Sequence, residues 1–259
     1  MAADFYHQQG QLVNHWYPLA TERQLGKKPL RRIALGQPIL LLRDTQGNPR
    51  AFLDRCPHRS AQLSKGDCDG QSITCPYHGW KFDIEGRCVD IPSKGQGQSD
   101  LRLQPIPLSR HMGLIWGWLG EGQSSAPPAF EEAEDTTWRL VQLHQHFDAR
   151  VEDLIENFMD SPHTVFVHRG LIRGVNHAAP REINIHSTLT DVTITHPPQN
   201  ERLGFFDRLI NPSLEPISHT DRFTLPASVE VRYSFGESGG RFLGLLAMTP
   251  ISETKTNVF

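Results

Sequence analysis

Cysteine is scarce in this sequence, with four among 259 residues, and nothing marks the chain for export. The start, Met1-Ala2-Ala3-Asp4-Phe5, lacks the basic and apolar regions of a secretory signal. No apolar run approaches the roughly 20 residues that cross a bilayer, so no membrane span is expected. The expected setting is the soluble, reducing cytoplasm, where thiols stay unpaired. Charge of one sign is lacking too. The 26 basic and 29 acidic residues leave a formal charge of −3, which gives no electrostatic reason for a nucleic-acid partner. No G-x-G-x-x-G segment follows a strand pattern, so a nucleotide-binding domain is not expected within the chain. Repeats and low-complexity tracts are also missing. What is present is 37% hydrophobic residues, enough for real cores, in a length with room for two modest domains.

Two short segments then stand out, Cys56-Pro57-His58 and Cys75-Pro76-Tyr77-His78-Gly79-Trp80. Together they offer two thiolates and two imidazoles, alternating in sequence. A tetrahedral zinc ion accepts that donor set, and a zinc-stabilised binding module is one reading. Zinc modules usually pair Cys with Cys and His with His, however, and the mixed pairs point elsewhere. In a Rieske [2Fe–2S] cluster one iron takes two cysteines and the other two histidines, so each loop would give one ligand to each iron. Pro57 and Pro76 stiffen the loops, and Gly79 allows close backbone approach. The pattern C-x-H…C-x-x-H at Cys56, His58, Cys75 and His78 resembles the Rieske iron–sulfur family. Respiratory members of that family carry an extra cysteine in each loop, joined as a disulfide. Ala61 and Tyr77 stand at those places here, so the resemblance is to the lower-potential domains of ferredoxins and oxygenases. Cys68 and Cys88 are expected to be free thiols.

Around these loops the sequence reads as short strands and tight turns, from about Asn14 to Gly120. Pro38–Leu42 and Ala51–Leu53 flank the turn residues Gln46-Gly47-Asn48-Pro49. Lys81–Asp83 and Cys88–Asp90 flank Glu85-Gly86. Leu114, Trp116 and Trp118 alternate with smaller residues, as in a half-buried strand. Residues 120–128 have linker composition, and the acidic run from Glu131 to Asp135 is expected to be a solvated surface.

A second motif follows. Val151, Leu154, Ile155 and Phe158 lie at helical spacing, with Asp148 as the expected cap. The text continues through Asn157, Asp160, Ser161-Pro162-His163 and His168. At about 100° per residue, two histidines five apart diverge by about 140° on a regular helix. Pro162 breaks the regularity, and Ser161-Pro162 reads as an N-cap with Pro at the first position of a restarted helix. A helix that stops and restarts can aim both imidazoles at one point. By themselves, His163 and His168 read equally well as two unrelated histidines. Downstream of the Cys/His loops, the set Asn157, Asp160, His163, His168 resembles the catalytic signature of Rieske non-haem iron oxygenases.

That resemblance carries the following expectations. The fold is α+β: an N-terminal antiparallel β Rieske domain at 1–122, then a catalytic domain at 123–259 with an antiparallel sheet and flanking helices. His163 and His168 are two legs of a 2-His-1-carboxylate Fe(II) site. Asp160 is the bridging aspartate that bonds His163 and meets His78 of the partner subunit in a head-to-tail homotrimer. Asn157 belongs to the same signature. A separate ferredoxin or NAD(P)H reductase supplies electrons. The reaction is hydroxylation or oxidative demethylation of a small organic substrate, aromatic ones included, with O₂. The alternative is a Rieske electron carrier without its own oxygenation. The segment Asn14-His15-Trp16-Tyr17-Pro18 looks like the monooxygenase and O-demethylase branch.

The family's third iron ligand comes from a late helix, after the last strands of the sheet. None is identifiable here, and it is expected beyond residue 259, with Asp191, Asp207 and Asp221 as in-chain substitutes. Ile183 to Leu189, Val229 to Phe235 and Phe242 to Met248 read as strands. His186, His196 and His219 read as surface or hydrogen-bonded strand residues.

Overall fold

A computed structural model describes residues 13–94, 99–121, 126–130, 138–168, 182–199, 215–236 and 240–259. The domain boundary expected after residue 122, the acidic run at 131–135 and Asp207 lie outside the described residues.

The first half is antiparallel throughout. Strands β1 (His15–Thr21), β2 (Leu30–Ala34), β3 (Gln37–Arg43) and β4 (Pro49–Leu53) come first. Strands β5 (Asp67–Cys68), β6 (Ser72–Thr74), β7 (Lys81–Asp83), β8 (Arg87–Asp90) and β9 (Ser99–Arg102) follow, then β10 (Leu108–His111) and β11 (Leu114–Leu119). They form three sheets, β1-β11-β10, β2-β3-β4 and β5-β6-β7-β8-β9. Both hairpins expected from the turn residues form. At the first, the Asp44 carboxylate accepts the main-chain N–H groups of Gln46 and Asn48, and Gly47 takes a left-handed φ of 85°.

The second half is one seven-stranded antiparallel sheet, with α1 (Val151–Met159) and the single turn α2 (Thr164–Val167) beside it. Its strands are β12 (Gln145–Phe147), β13 (Asn184–Ser187), β14 (Asp191–Gln199), β15 (Ile217–Thr224), β16 (Ser228–Phe235), β17 (Arg241–Ser252) and β18 (Lys255–Val258). The spatial order is β12-β18-β17-β16-β15-β14-β13. The apolar face of α1 rests on this sheet, packing Val151 and Leu154 with Val229, Met248 and Val258. Asp148 does not cap the helix. Arg150 occupies that position, while Asp148 is drawn to Lys255 Nζ at 3.2 Å. The acidic charge favoured at a helix N-terminus comes from Glu152 and Asp153 in the first turn.

The two halves meet in a packed seam. The alternating pattern of β11 suggests burial on one face, yet the strand is buried on both. Ile115 packs with Leu19, Ala20 and Ile39, whereas Leu114, Trp116 and Trp118 pack with Ala247 and Phe259 from the far end of the chain. Polar contacts reinforce the seam. Leu35 N–H donates to Pro250 O at 2.8 Å, and the Thr249 hydroxyl donates to Pro18 O at 2.6 Å.

Two outcomes follow. Trp116, 1% exposed, fills this seam; Trp116→Ala is expected to cost about 3–5 kcal/mol, read as a fall in the denaturant midpoint. At the β5–β6 turn, main-chain N–H groups of Gln71 and Ser72, together with Lys81, hold the Asp69 carboxyl at about 2 against an ordinary 3.8. A depressed folded pKa stabilises above the unfolded value, and that stabilisation is lost as pH falls from about 4 towards 2. Asp69→Asn is expected to flatten the stability–pH curve in that window.

Candidate cluster and metal sites

The segments 56–61 and 75–80 are built alike. Cys56 N–H donates to Ala61 O at 2.8 Å, and Ser60 N–H donates to Cys56 O at 2.8 Å. Cys75 N–H donates to Trp80 O at 2.8 Å, and Gly79 N–H donates to Cys75 O at 3.0 Å. The residue four places after each cysteine is left-handed, Ser60 at φ 55° and Gly79 at φ 70°. The repeated geometry sinks both sulfurs, with Cys56 1% and Cys75 3% exposed, and lifts both imidazoles towards solvent. The rings of His58 and His78 lie 4.9 Å apart, and His58 stacks on Trp80 at 4.5 Å. All four cysteines are unpaired, Cys68 and Cys88 included.

Such crowding is costly without a positive centre between the donors. Burial, with the neighbouring Cys75 sulfur adding to it, pushes the Cys56 thiol up to about 11. Desolvation and the facing His78 lower the pKa of His58. A buried thiol that resists ionisation beside an imidazole that resists protonation suits a cationic metal centre, which favours the thiolate and the neutral ring. Among the described residues, the three donors that converge within 4.8 Å of one another are His196, His219 and Asp221.

In the second half α1 stops at Met159, a tight turn spans Ser161–His163, and α2 restarts at Thr164. The interruption brings the rings of His163 and His168 to 5.4 Å. His163 Nδ1 donates to the main-chain oxygen of Asp160, which leaves Nε2 bare for a metal. The Asp160 carboxylate lies 3.9 Å from Nδ1 and is half exposed, so its contact with the ring runs through the main chain. Asn157 sits exposed on α1. Ser161 is not the helix cap. Asp160 holds that position for the Ser161–His163 turn and His163 holds it for α2, while the Ser161 hydroxyl is buried, 3.4 Å from His219 Nδ1.

Pairing of Asp221 with Ile194 and Val231, and of His219 with His196 and Tyr233, puts these residues on one face of the sheet. His219 and Asp221 could be placed on a common face from their spacing, but the register that sets His196 beside them is tertiary. His186 is exposed on β13. Asp191 and Asp221 find their partners within the sheet, Asp191 with Thr188 and Arg222 and Asp221 with the two histidines. A cavity of about 280 Å³ lies on the opposite face, lined by Asp191, Thr193, Thr220, Arg222, Glu230 and Arg232. Its charges neutralise one another, with Arg232 3.2 Å from Glu230, and it contains none of the cysteines or histidines.

Comparison with known proteins fits both halves. Residues 15–107 match the Rieske [2Fe–2S] domain, and residues 147–259 match the vanillate O-demethylase oxygenase C-terminal domain. The chain belongs to the Rieske non-haem iron oxygenases. Over 160 residues it is 38% identical to the oxygenase component of dicamba O-demethylase from Stenotrophomonas maltophilia, covering 60% of this chain and 47% of that protein. It is 35% identical over 162 residues to the oxygenase component of chloroacetanilide N-alkylformylase from Rhizorhabdus wittichii, covering 61% and 47%. The crystal structure of dicamba monooxygenase bound to dicamba superposes with a TM-score of 0.84 at 26% identity, covering 95% of this chain and 75% of that one. The matches thus span about half the length of these curated relatives. The first half is thus a Rieske domain, the kind that holds a [2Fe–2S] cluster, and the family uses Fe(II); one dicamba monooxygenase structure holds non-haem iron.

Gly79 tests the loop geometry. A Cβ added there would stand 3.0 Å from Pro92 Cγ at φ 70°. Gly79→Ala is expected to cost about 1–2 kcal/mol from the left-handed backbone alone. The expected readouts are a lower melting midpoint and faster bleaching of the cluster's visible absorption.

Proposed function

We propose that this chain is the terminal oxygenase component of a multicomponent system, acting on a small organic substrate by hydroxylation or oxidative demethylation. In this reading residues 1–122 form the Rieske domain and 123–259 the catalytic domain. Cys56 and Cys75 hold one iron of the cluster, and His58 and His78 hold the other. His163 and His168 hold Fe(II). When bound, the cluster supplies single electrons and the Fe(II) activates O₂. The observation that carries the assignment is the interrupted helix, which sets His163 and His168 at 5.4 Å with Nε2 of His163 bare.

The chain's own groups give each ligand a fixed pose. The main-chain oxygen of Asp160 holds the Nδ1 proton of His163, so the ring presents Nε2. Trp80, stacked within 12° of parallel, holds the plane of His58. His78 and the Asp160 carboxylate are both at the surface, which supports a head-to-tail homotrimer in which Asp160 meets His78 of the partner subunit. Asn157, one turn before Asp160, belongs to the same surface. The electron donor is a separate ferredoxin or NAD(P)H reductase. The names of the relatives, which include O- and N-demethylases, favour oxidative dealkylation of an aromatic compound. The free thiols of Cys68 and Cys88 fit a reducing cytoplasm, and no helix among the described residues is long and apolar enough to cross a membrane.

Oxygen uptake with a reductase and candidate aromatic ethers or N-methyl compounds tests the proposal. His163→Ala is expected to keep the visible and EPR spectra of the cluster while substrate-dependent O₂ consumption falls to background. Wild-type turnover by this variant would falsify the iron assignment, and a colourless, zinc-containing protein would remove the oxygenase reading.

A further inference from the structure

We infer that the buried array His196–Asp221–His219 is a positioning device for the His163 turn, acting through Ser161. The inference rests on the assignment of His163 to iron.

With His219 neutral, the donors and acceptors fit one arrangement. An ionised carboxylate only accepts, so Asp221 Oδ1, 2.8 Å from His219 Nε2, receives a proton from that nitrogen. In the neutral ring Nδ1 is then bare. It accepts from the Ser161 hydroxyl at 3.4 Å, a contact between residues 58 positions apart. The other side of Ser161 is held too, because its main-chain oxygen accepts from the Thr164 hydroxyl at 2.7 Å. Ser161 lies between Asp160, whose carbonyl orients the His163 ring, and His163 itself. A continuous path therefore runs from β15 through one hydroxyl into the turn that carries the imidazole.

The array is built to stay still. The ring of His219 is sandwiched between His196, 4.6 Å away and 8° from parallel, and Tyr233, 4.2 Å away and 7° from parallel. His219 is 4% and Asp221 1% exposed, so water does not compete for these bonds. Burial raises the pKa of the Asp221 carboxyl, but the contacts from His196 and His219 outweigh it and keep the group ionised. His196 Nε2 faces Asp221 Oδ2 at 3.4 Å, and its ring stacks on His219.

Three buried donors within 4.8 Å also invite a metal reading, which the ring planes oppose. A metal lies in the plane of each imidazole that binds it, and two rings stacked nearly parallel cannot share such a point. The carboxylate already occupies His219 Nε2.

The test is metal affinity of the cluster-loaded protein, with the catalytic iron removed by a chelator and Co(II) titrated back through its visible d–d bands. Ser161→Ala and His219→Gln are each expected to weaken Co(II) binding by roughly ten- to a hundred-fold and to change the band shape. The double variant is expected to be no weaker than the worse single, because both act along one path. Ser161→Thr, which keeps the hydroxyl, is expected to restore affinity. The cluster absorption should not change in any of them. If His219→Gln does not fold, Ser161→Ala and Ser161→Thr still decide the matter. Wild-type Co(II) affinity in Ser161→Ala, with binding lost in His163→Ala, overturns the positioning role and leaves the iron site standing. Co(II) binding retained in His163→Ala overturns the assignment beneath it.

Discussion

On a regular helix, residues five apart point about 140° away from each other, and the second half of this chain is organised around cancelling that divergence. The α1 helix can stop at Met159 because its apolar face is already anchored on the sheet. Pro162 cannot supply a main-chain N–H to continue the ladder, and Asp160, at ψ 78°, turns the chain out of the helix. The restarted turn then carries His168 back towards His163. A broken helix is ordinarily a weak element. Here its broken end is held from below by the sheet, through Ser161, and from within by the carbonyl of Asp160.

The first half solves a different problem with a repeated answer. Two cysteine sulfurs must be kept from water while two imidazoles remain accessible, and six-residue loops with matching main-chain bonds do this twice. The left-handed residue in each loop reverses the chain so that the cysteine points in and the histidine out. The inner half of the site is thus apolar and the outer half wet.

The legible parts of the molecule were those whose partners are near in sequence. The cluster loops, their flanking hairpins, the apolar stripe of α1 and the break at Ser161-Pro162 all depend on residues within a turn or two. What local text could not disclose depends on distant packing. Ser161 has the form of a cap, yet its side chain goes to His219 on β15. Asp148 has the form of a cap too, yet Lys255 claims it. Leu114, Trp116 and Trp118 look half-buried until residues from β17 and the C-terminal Phe259 cover their second face. His196 and His219 become neighbours only through the register of β14 and β15.

Strand β17 has a consequence for how such a protein can be recombined. Its first half is an ordinary member of the catalytic sheet, while Thr249, Pro250 and Ile251 near its end bond to Pro18, Leu35 and Gly36 of the other half. A cut made in the connecting segment would separate the covalent chain but not the structural unit. A Rieske half taken from one relative would meet a strange strand end in another. Exchange of modules within this architecture therefore has to carry a matching patch from near the opposite end of the sequence.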